Sequence, residues 1–152
     1  MGANNFLSMP EKRVLRALPP FSFSASFKET RAPPLLPPKT SRVLTFHSVA
    51  QWKAYFEASK QSNKMIVIDF TATWCRPCRY MDPSVDEFAA KYSDVEFIKI
   101  DVDELMNVAG EFGIHAMPTF LLIKKGKEID KVVGAKKQEL QAKIEKHRSI
   151  QR

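Results

Sequence analysis

Residues 67–78 of the chain read Val-Ile-Asp-Phe-Thr-Ala-Thr-Trp-Cys-Arg-Pro-Cys, an apolar run followed closely by two cysteines. The apolar stretch over 65–70 predicts a buried strand. The stretch from 76 to about 92 predicts a helix that contains Pro83 as a kink. Cys75 is therefore expected where a buried strand passes into the N-terminus of a helix.

The spacing of Cys75 and Cys78 at such a point favours redox chemistry. The N-terminus of a helix has unpaired N–H groups and a partial positive charge, which stabilise an anion. A thiolate is the nucleophile of disulfide exchange, and Pro77 suits the first helical turn because its missing N–H is not needed there. The pattern predicts that Cys75 attacks a substrate disulfide and that Cys78, one turn on, resolves the mixed disulfide.

Two other interpretations of the cysteine pair remain open at this point. A zinc site usually needs four ligands; the chain has two cysteines, and His47, His115 and His147 lack close spacing. The pair could also be two inert buried thiols. Neither alternative explains the flanking Trp74 and Pro77.

The pattern after residue 42 predicts alternating strands and helices. Ser48 and Gln51 match the capping box of a first helix, and Lys124-Lys125-Gly126-Lys127 is typical of a hairpin turn. The other predicted elements are strands at 42–46, 95–101, 119–123 and 128–133 and helices at 104–112 and 138–148. This order predicts an α/β fold with a mixed sheet covered by helices on both faces.

The N-terminal part of the chain has a different composition. Residues 1–41 hold seven of the ten prolines, and residues 1–45 carry +5 of the total charge of +7. We expect residues 1–41 to be a disordered, proline-rich basic extension and residues 42–152 to be the folded domain. The folded part carries little excess charge, which argues against nucleic-acid binding, and no apolar run approaches the ~20 residues of a membrane span.

Residues 67–78 closely resemble the active-site strand and turn of thioredoxins. Ala-Met-Pro-Thr-Phe at 116–120, Lys-Gly-Lys at 125–127 and Val-Gly-Ala at 133–135 follow in the order that this family shows. The resemblance covers about residues 42–148. It is strongest to plant type-h thioredoxins, and the long N-terminus is similar to that of the subgroup with extended N-termini.

The resemblance implies a thioredoxin fold and the activity of a protein-disulfide reductase, a dithiol electron carrier. It implies no cofactor beyond the redox-active Cys75–Cys78 disulfide. The implied partners are disulfide-containing target proteins and a thioredoxin reductase that donates electrons, and the chain is expected to be a monomer. A thioredoxin-fold binding or chaperone module without redox turnover is the alternative, and a disulfide isomerase or oxidase is a third possibility.

The resemblance also assigns a proton acceptor. Asp69 matches the acid that helps to take the proton from the resolving cysteine, here Cys78, and burial at the end of an apolar strand would raise its pKa. Lys99 matches a lysine near that acid and is expected to modulate it. The alternatives are a strand-end acid that faces water and a lysine at an ordinary surface position.

Pro118 matches a cis-proline beside the active-site disulfide, although trans is the usual state of an X-Pro bond. The loop around it pairs with the bound substrate strand in thioredoxins, and Gly134 matches a position where the substrate chain approaches closely. The expected target-binding residues are Trp74, Arg76, Pro77, Met117, Pro118, Thr119, Gly134 and Ala135. Trp74 could instead belong to the core.

The N-terminal extension leaves the compartment open. A disordered tail on a cytoplasmic protein is favoured, and import into mitochondria or plastids is the alternative, since the segment is basic and poor in acids. N-myristoylation at Gly2 is disfavoured because Phe6 stands where the motif needs Ser or Thr.

Arg76 departs from the Gly or Pro that the family usually has between the cysteines, and it generates a prediction. A cation beside Cys75 should stabilise the thiolate and hence the reduced protein, so we expect a reduction potential less negative than roughly −270 mV, the value of thioredoxin. Redox titration should place wild type above Arg76→Gly. Equal potentials would show that Arg76 acts only as a solvent-screened charge or in selecting acidic targets or reductases.

Overall fold

The computed structural model describes residues 41–148, and within them five strands form one mixed sheet with helices on both faces. The extension predicted over residues 1–41 therefore lies, except for its last residue, outside the described residues. In chain order the elements are β1 (Leu44–Thr45), α1 (Val49–Ser59), β2 (Met65–Thr71), α2 (Arg76–Lys91), β3 (Val95–Asp101), α3 (Met106–Glu111), β4 (Thr119–Lys124), β5 (Lys127–Val133) and α4 (Lys137–His147). The predicted α/β fold, a mixed sheet covered by helices on both faces, is confirmed.

Strand β2 lies at the centre of the sheet, whose strand order is β1-β3-β2-β4-β5. It runs parallel to β3 and antiparallel to β4. In this register Asp69 lies beside Lys99 on one side and Phe120 on the other. The sheet therefore places the predicted acid and the predicted lysine on neighbouring strands.

Both faces of β2 are buried, which explains its continuous apolar sequence. Met65 and Val67 pack on the face that α2 and α4 cover, while Ile66, Ile68 and Phe70 pack on the face that α1 and α3 cover. Because side chains alternate along a strand, Asp69 points to the same face as Met65 and Val67. The Asp69 carboxyl group therefore lies in the interior, on the face of the sheet that α2 covers.

The remaining boundaries follow the predictions with small differences at the ends. The first strand is confined to Leu44–Thr45 rather than 42–46, because only these two residues pair with β3 at the edge of the sheet. The third helix spans Met106–Glu111 rather than 104–112. Ser48 caps α1 as predicted, since its hydroxyl oxygen accepts from the backbone N–H of Gln51 at 3.2 Å.

The predicted hairpin between β4 and β5 is present, and its turn consists of Lys125 and Gly126. Lys125 and Gly126 both have positive φ, 52° and 81°, the conformation that a tight hairpin turn requires. A Cβ atom at Gly126 would stand 2.8 Å from the side chain of Lys60. The turn brings β5 back alongside β4, and β5 ends at Val133, directly before Gly134.

Candidate active site

Cys75 and Cys78 are joined by a disulfide at the start of α2, with their Cα atoms 5.3 Å apart. Cys75 is the N-cap residue of α2, in extended conformation with φ −85° and ψ 108°. The backbone N–H of Cys78 donates to Cys75 Sγ at 3.3 Å. The first turn of the helix therefore directs an N–H group and the positive end of its dipole at the sulfur of Cys75.

The two cysteines lie in a small apolar cluster of their own. Both are buried together with Ala72, and the half-buried Val102 and Met117 pack against them. Val102 follows β3, and Met117 belongs to the loop before β4, so segments distant in sequence enclose the disulfide. An apolar shell of this kind strengthens electrostatic effects on the sulfur atoms.

Trp74 lies on the surface next to this cluster, with 64% of its area exposed. Its indole Nε1–H donates to Asp103 Oδ2 at 2.8 Å, which fixes the ring. The core alternative for Trp74 is thereby wrong. Arg76 and Pro77 are also exposed, and Arg79, one turn further, donates through Nε and Nη2 to the carbonyl oxygen of Thr73.

The Met117–Pro118 peptide bond is cis. Two hydrogen bonds hold the loop around it: Thr119 Oγ1 donates to the carbonyl oxygen of Ala116 at 2.6 Å, and the N–H of Gly134 donates to the carbonyl oxygen of Pro118 at 2.8 Å. Gly134 has a φ of 103°, which is unfavourable for residues with a side chain. The structure thus brings the loop at 116–119 to Gly134 and, through Met117, to the cysteines.

The other residues expected to bind a target differ in exposure. Thr119 is buried. Ala135 is half-buried and packs against the core on the face that α2 and α4 cover. Trp74, Arg76 and Pro77 provide the exposed part of the group, so the rim beside Cys75 combines an aromatic ring with a cation.

Asp69 is a buried carboxyl group with 2% of its area exposed. Its Oδ1 atom has no hydrogen-bond partner within the described part of the chain. Burial raises the pKa of Asp69 from its ordinary value of 3.8 to about 7; the positive charge of Lys99 opposes this shift and the negative charge of Asp82 adds to it. The group can therefore hold or release a proton near neutral pH.

Lys99 lies beside Asp69 in the sheet, but its ammonium group forms an ion pair with a different acid. Its Nζ donates to Asp82 Oδ1 at 3.0 Å. Sequence analysis missed Asp82, although its position four residues after Cys78 on α2 was a usable signal, because residues at i and i+4 share a helix face. It also missed Asp103, for which the local sequence offers no comparable signal.

Residues 41–148 contain no candidate membrane span and no candidate metal site. No helix in this part of the chain has the length and apolar character to cross a membrane. No group of three or more His, Cys, Asp or Glu side chains there could hold a metal ion.

Known proteins of one family resemble this chain in both sequence and structure. The thioredoxin family model matches residues 46–146. Thioredoxin H2 of Arabidopsis thaliana is 53% identical over 109 residues, which cover 72% of this chain and 82% of that protein. The crystal structure of thioredoxin NaTrxh from Nicotiana alata is 59% identical, with a TM-score of 0.72 over 75% of this chain and 99% of that one. A thioredoxin H-type protein of Brassica campestris is 52% identical over 108 residues, covering 71% of this chain and 88% of the relative.

The burial of Asp69 predicts a specific pH dependence of stability. Between about pH 4 and pH 7 the unfolded chain has already lost the Asp69 proton while the folded chain retains it, so the free energy of unfolding falls as pH rises through this window. At roughly 1.36 kcal/mol per pKa unit the full loss is about 4 kcal/mol. In Asp69→Asn this loss is absent, so the variant should gain stability relative to wild type from pH 4 to pH 7. The measurement is urea denaturation of the oxidised proteins, followed by circular dichroism.

The exposed Asp86 on α2 supplies the control for that experiment. The free energy of unfolding of Asp86→Asn should depend on pH in the same way as that of wild type. A stability difference between Asp69→Asn and wild type that stays constant from pH 4 to pH 8 would contradict the raised pKa.

Proposed function

Because the chain belongs to the thioredoxin family and is therefore a thiol–disulfide oxidoreductase, we propose that Cys75 is the residue that attacks the disulfide of a target protein. The observation that supports this assignment is the position of Cys75 at the N-cap of α2, with the N–H of Cys78 directed at its sulfur. An N–H group and a helix dipole favour the thiolate at that atom. Cys78 lies in the first turn of α2, where it is buried and bonded to Cys75.

The proposed reaction consists of two exchanges. The Cys75 thiolate attacks one sulfur of the target disulfide; the target S–S bond breaks, a Cys75–target disulfide forms, and the second target sulfur leaves as a thiolate. The Cys78 thiolate then attacks the sulfur of Cys75 and releases the other target thiolate. Two electrons pass to the target, and the Cys75–Cys78 disulfide that the structure contains is the product.

Asp69 is the proposed proton acceptor for the second exchange. Cys78 must lose its proton before it can attack, and a base works best when its pKa lies near the working pH. A buried carboxyl group with a pKa of about 7 meets this requirement. Lys99, its neighbour in the sheet, modulates the charge of that carboxyl group.

The proposed target site is the rim around Cys75. Its exposed members can contact a target directly, and the cis-proline loop beside the cysteines can pair with an extended target segment through its backbone. The members of this site are Trp74, Arg76, Pro77, Met117, Pro118, Thr119, Gly134 and Ala135.

We also propose an electron donor, a compartment and an oligomeric state for the protein. A thioredoxin reductase returns the Cys75–Cys78 disulfide to the dithiol, so that the protein serves as an electron carrier and needs no cofactor besides that disulfide. We place the protein in the cytoplasm as a monomer, with residues 42–152 as its domain and residues 1–41 as an extension. Import into an organelle through this extension is the alternative.

A binding or chaperone module without redox turnover would need neither cysteine. The oxidoreductase function is favoured over it, because the chain has both cysteines at the start of α2 and a buried acid on the strand before it.

The proposed roles predict different outcomes for the two cysteines in the reduction of insulin by dithiothreitol. Cys75→Ser should lower the rate to background because no attacking thiolate remains. Cys78→Ser should also lose turnover but should accumulate mixed disulfides with target proteins, since the first exchange still occurs and the second cannot. Turbidity measures the turnover, and non-reducing electrophoresis measures the trapped adducts.

Lys146→Ala, at an exposed position of α4, is the control and should retain the wild-type rate. Activity that survives both serine substitutions would defeat the assigned chemistry. Adducts trapped by Cys75→Ser rather than by Cys78→Ser would reverse the two roles.

A further inference from the structure

The ammonium group of Lys99 is held by an acid that is not its neighbour in the sheet. Strands β2 and β3 place Lys99 in register with Asp69. Among residues 41–148, however, its one ion pair is with Asp82 on α2, at 3.0 Å between Nζ and Oδ1. The Asp69 carboxyl is left with an unpartnered Oδ1 atom in the protein interior.

This arrangement has a direct electrostatic consequence. A lysine ammonium that paired with the Asp69 carboxyl would stabilise its charged form strongly, because opposite charges within about 4–6 Å favour ionisation. Asp82 opposes this stabilisation of the charged Asp69 carboxyl in two ways. It binds the ammonium on the α2 side, and it adds a negative charge that acts on Asp69.

We propose that Asp82 is a positioning residue that holds Lys99 away from the Asp69 carboxyl and so keeps Asp69 basic enough to accept the proton of Cys78. The inference rests on the proposed role of Asp69. Helix α2 would then have two functions one turn apart. Cys78 resolves the mixed disulfide and Asp82 positions Lys99, and the two residues, four apart, lie on the same face of the helix.

The other groups that surround Asp69 leave Lys99 and Asp82 as the charges that matter. On β4 the residue in register is Phe120, which is uncharged. Helix α4, which covers the same face of the sheet, contributes Leu140 and Ile144 to the core there. On α2 the titratable group that is buried is Cys78, once the disulfide is reduced.

The test is the titration midpoint of the Asp69 carboxyl, followed by carbon-13 NMR in the oxidised full-length protein. In Asp82→Asn the midpoint should move to lower pH by about one pH unit, because the ammonium is released and a negative charge is lost. Asp82→Glu should restore the wild-type midpoint, since it keeps the acid. Asp86→Asn, an exposed acid one turn further along α2, should leave the midpoint unchanged.

A Lys99→Gln background separates positioning from a simple charge effect. If Asp82 acts through Lys99, then Asp82→Asn should move the midpoint much less in this background than in wild type. An unchanged midpoint in Asp82→Asn, or an equal displacement with and without Lys99, would overturn the proposal.

A kinetic measurement links the ion pair to the reaction. The rate at which Cys78 expels thionitrobenzoate from a mixed disulfide at Cys75 should fall at acid pH, and Asp82→Asn should displace this fall to lower pH by the same amount as the midpoint. If Asp69→Asn shows the wild-type rate at every pH, Asp69 is not the proton acceptor and the catalytic consequence of Asp82 is overturned. A displaced NMR midpoint would in that case still support the positioning of Lys99.

Discussion

The burial of strand β2 on both of its faces determines how the other elements pack around it. Its apolar side chains bind two helix layers to one sheet, with α2 and α4 on one face and α1 and α3 on the other. The same burial forces Asp69, the one charged residue of β2, into the interior. Because only four residues separate the end of β2 from the start of α2, the geometry that forms the core also positions the disulfide.

Two opposite electrostatic environments therefore lie within a few residues of each other. At Cys75 the start of α2 favours the anion, since an N–H group and the helix dipole point at the sulfur. At Asp69 desolvation favours the neutral acid. The proposed two-step exchange uses both properties, a thiolate that forms easily for the attack and a carboxylate that forms reluctantly for proton transfer.

The parts of the molecule that could be predicted are those that local sequence determines. Strand β2 and helix α2 were predicted with ends within one residue, because an apolar run, an N-cap and a proline in the first turn all lie in one stretch of chain. The cis peptide at Pro118 was expected only through the resemblance, since a single sequence gives no local signal for it. The partners of Trp74 and Lys99 were not predicted: Asp103 is 29 residues from Trp74, and Asp82 is 17 residues from Lys99. Contacts of this kind depend on side-chain positions that exist only once the sheet and helices are assembled.

We propose that the start of α2 makes Cys75, and not Cys78, the reactive thiolate. The most direct measurement is the pH dependence of alkylation of the two thiols in the reduced protein, with each site identified by mass spectrometry. We expect Cys75 to react first, with an apparent pKa below the ordinary thiol value of about 8.5, and Cys78 to be protected. Preferential alkylation of Cys78, or an apparent pKa of Cys75 at or above about 8.5, would contradict it.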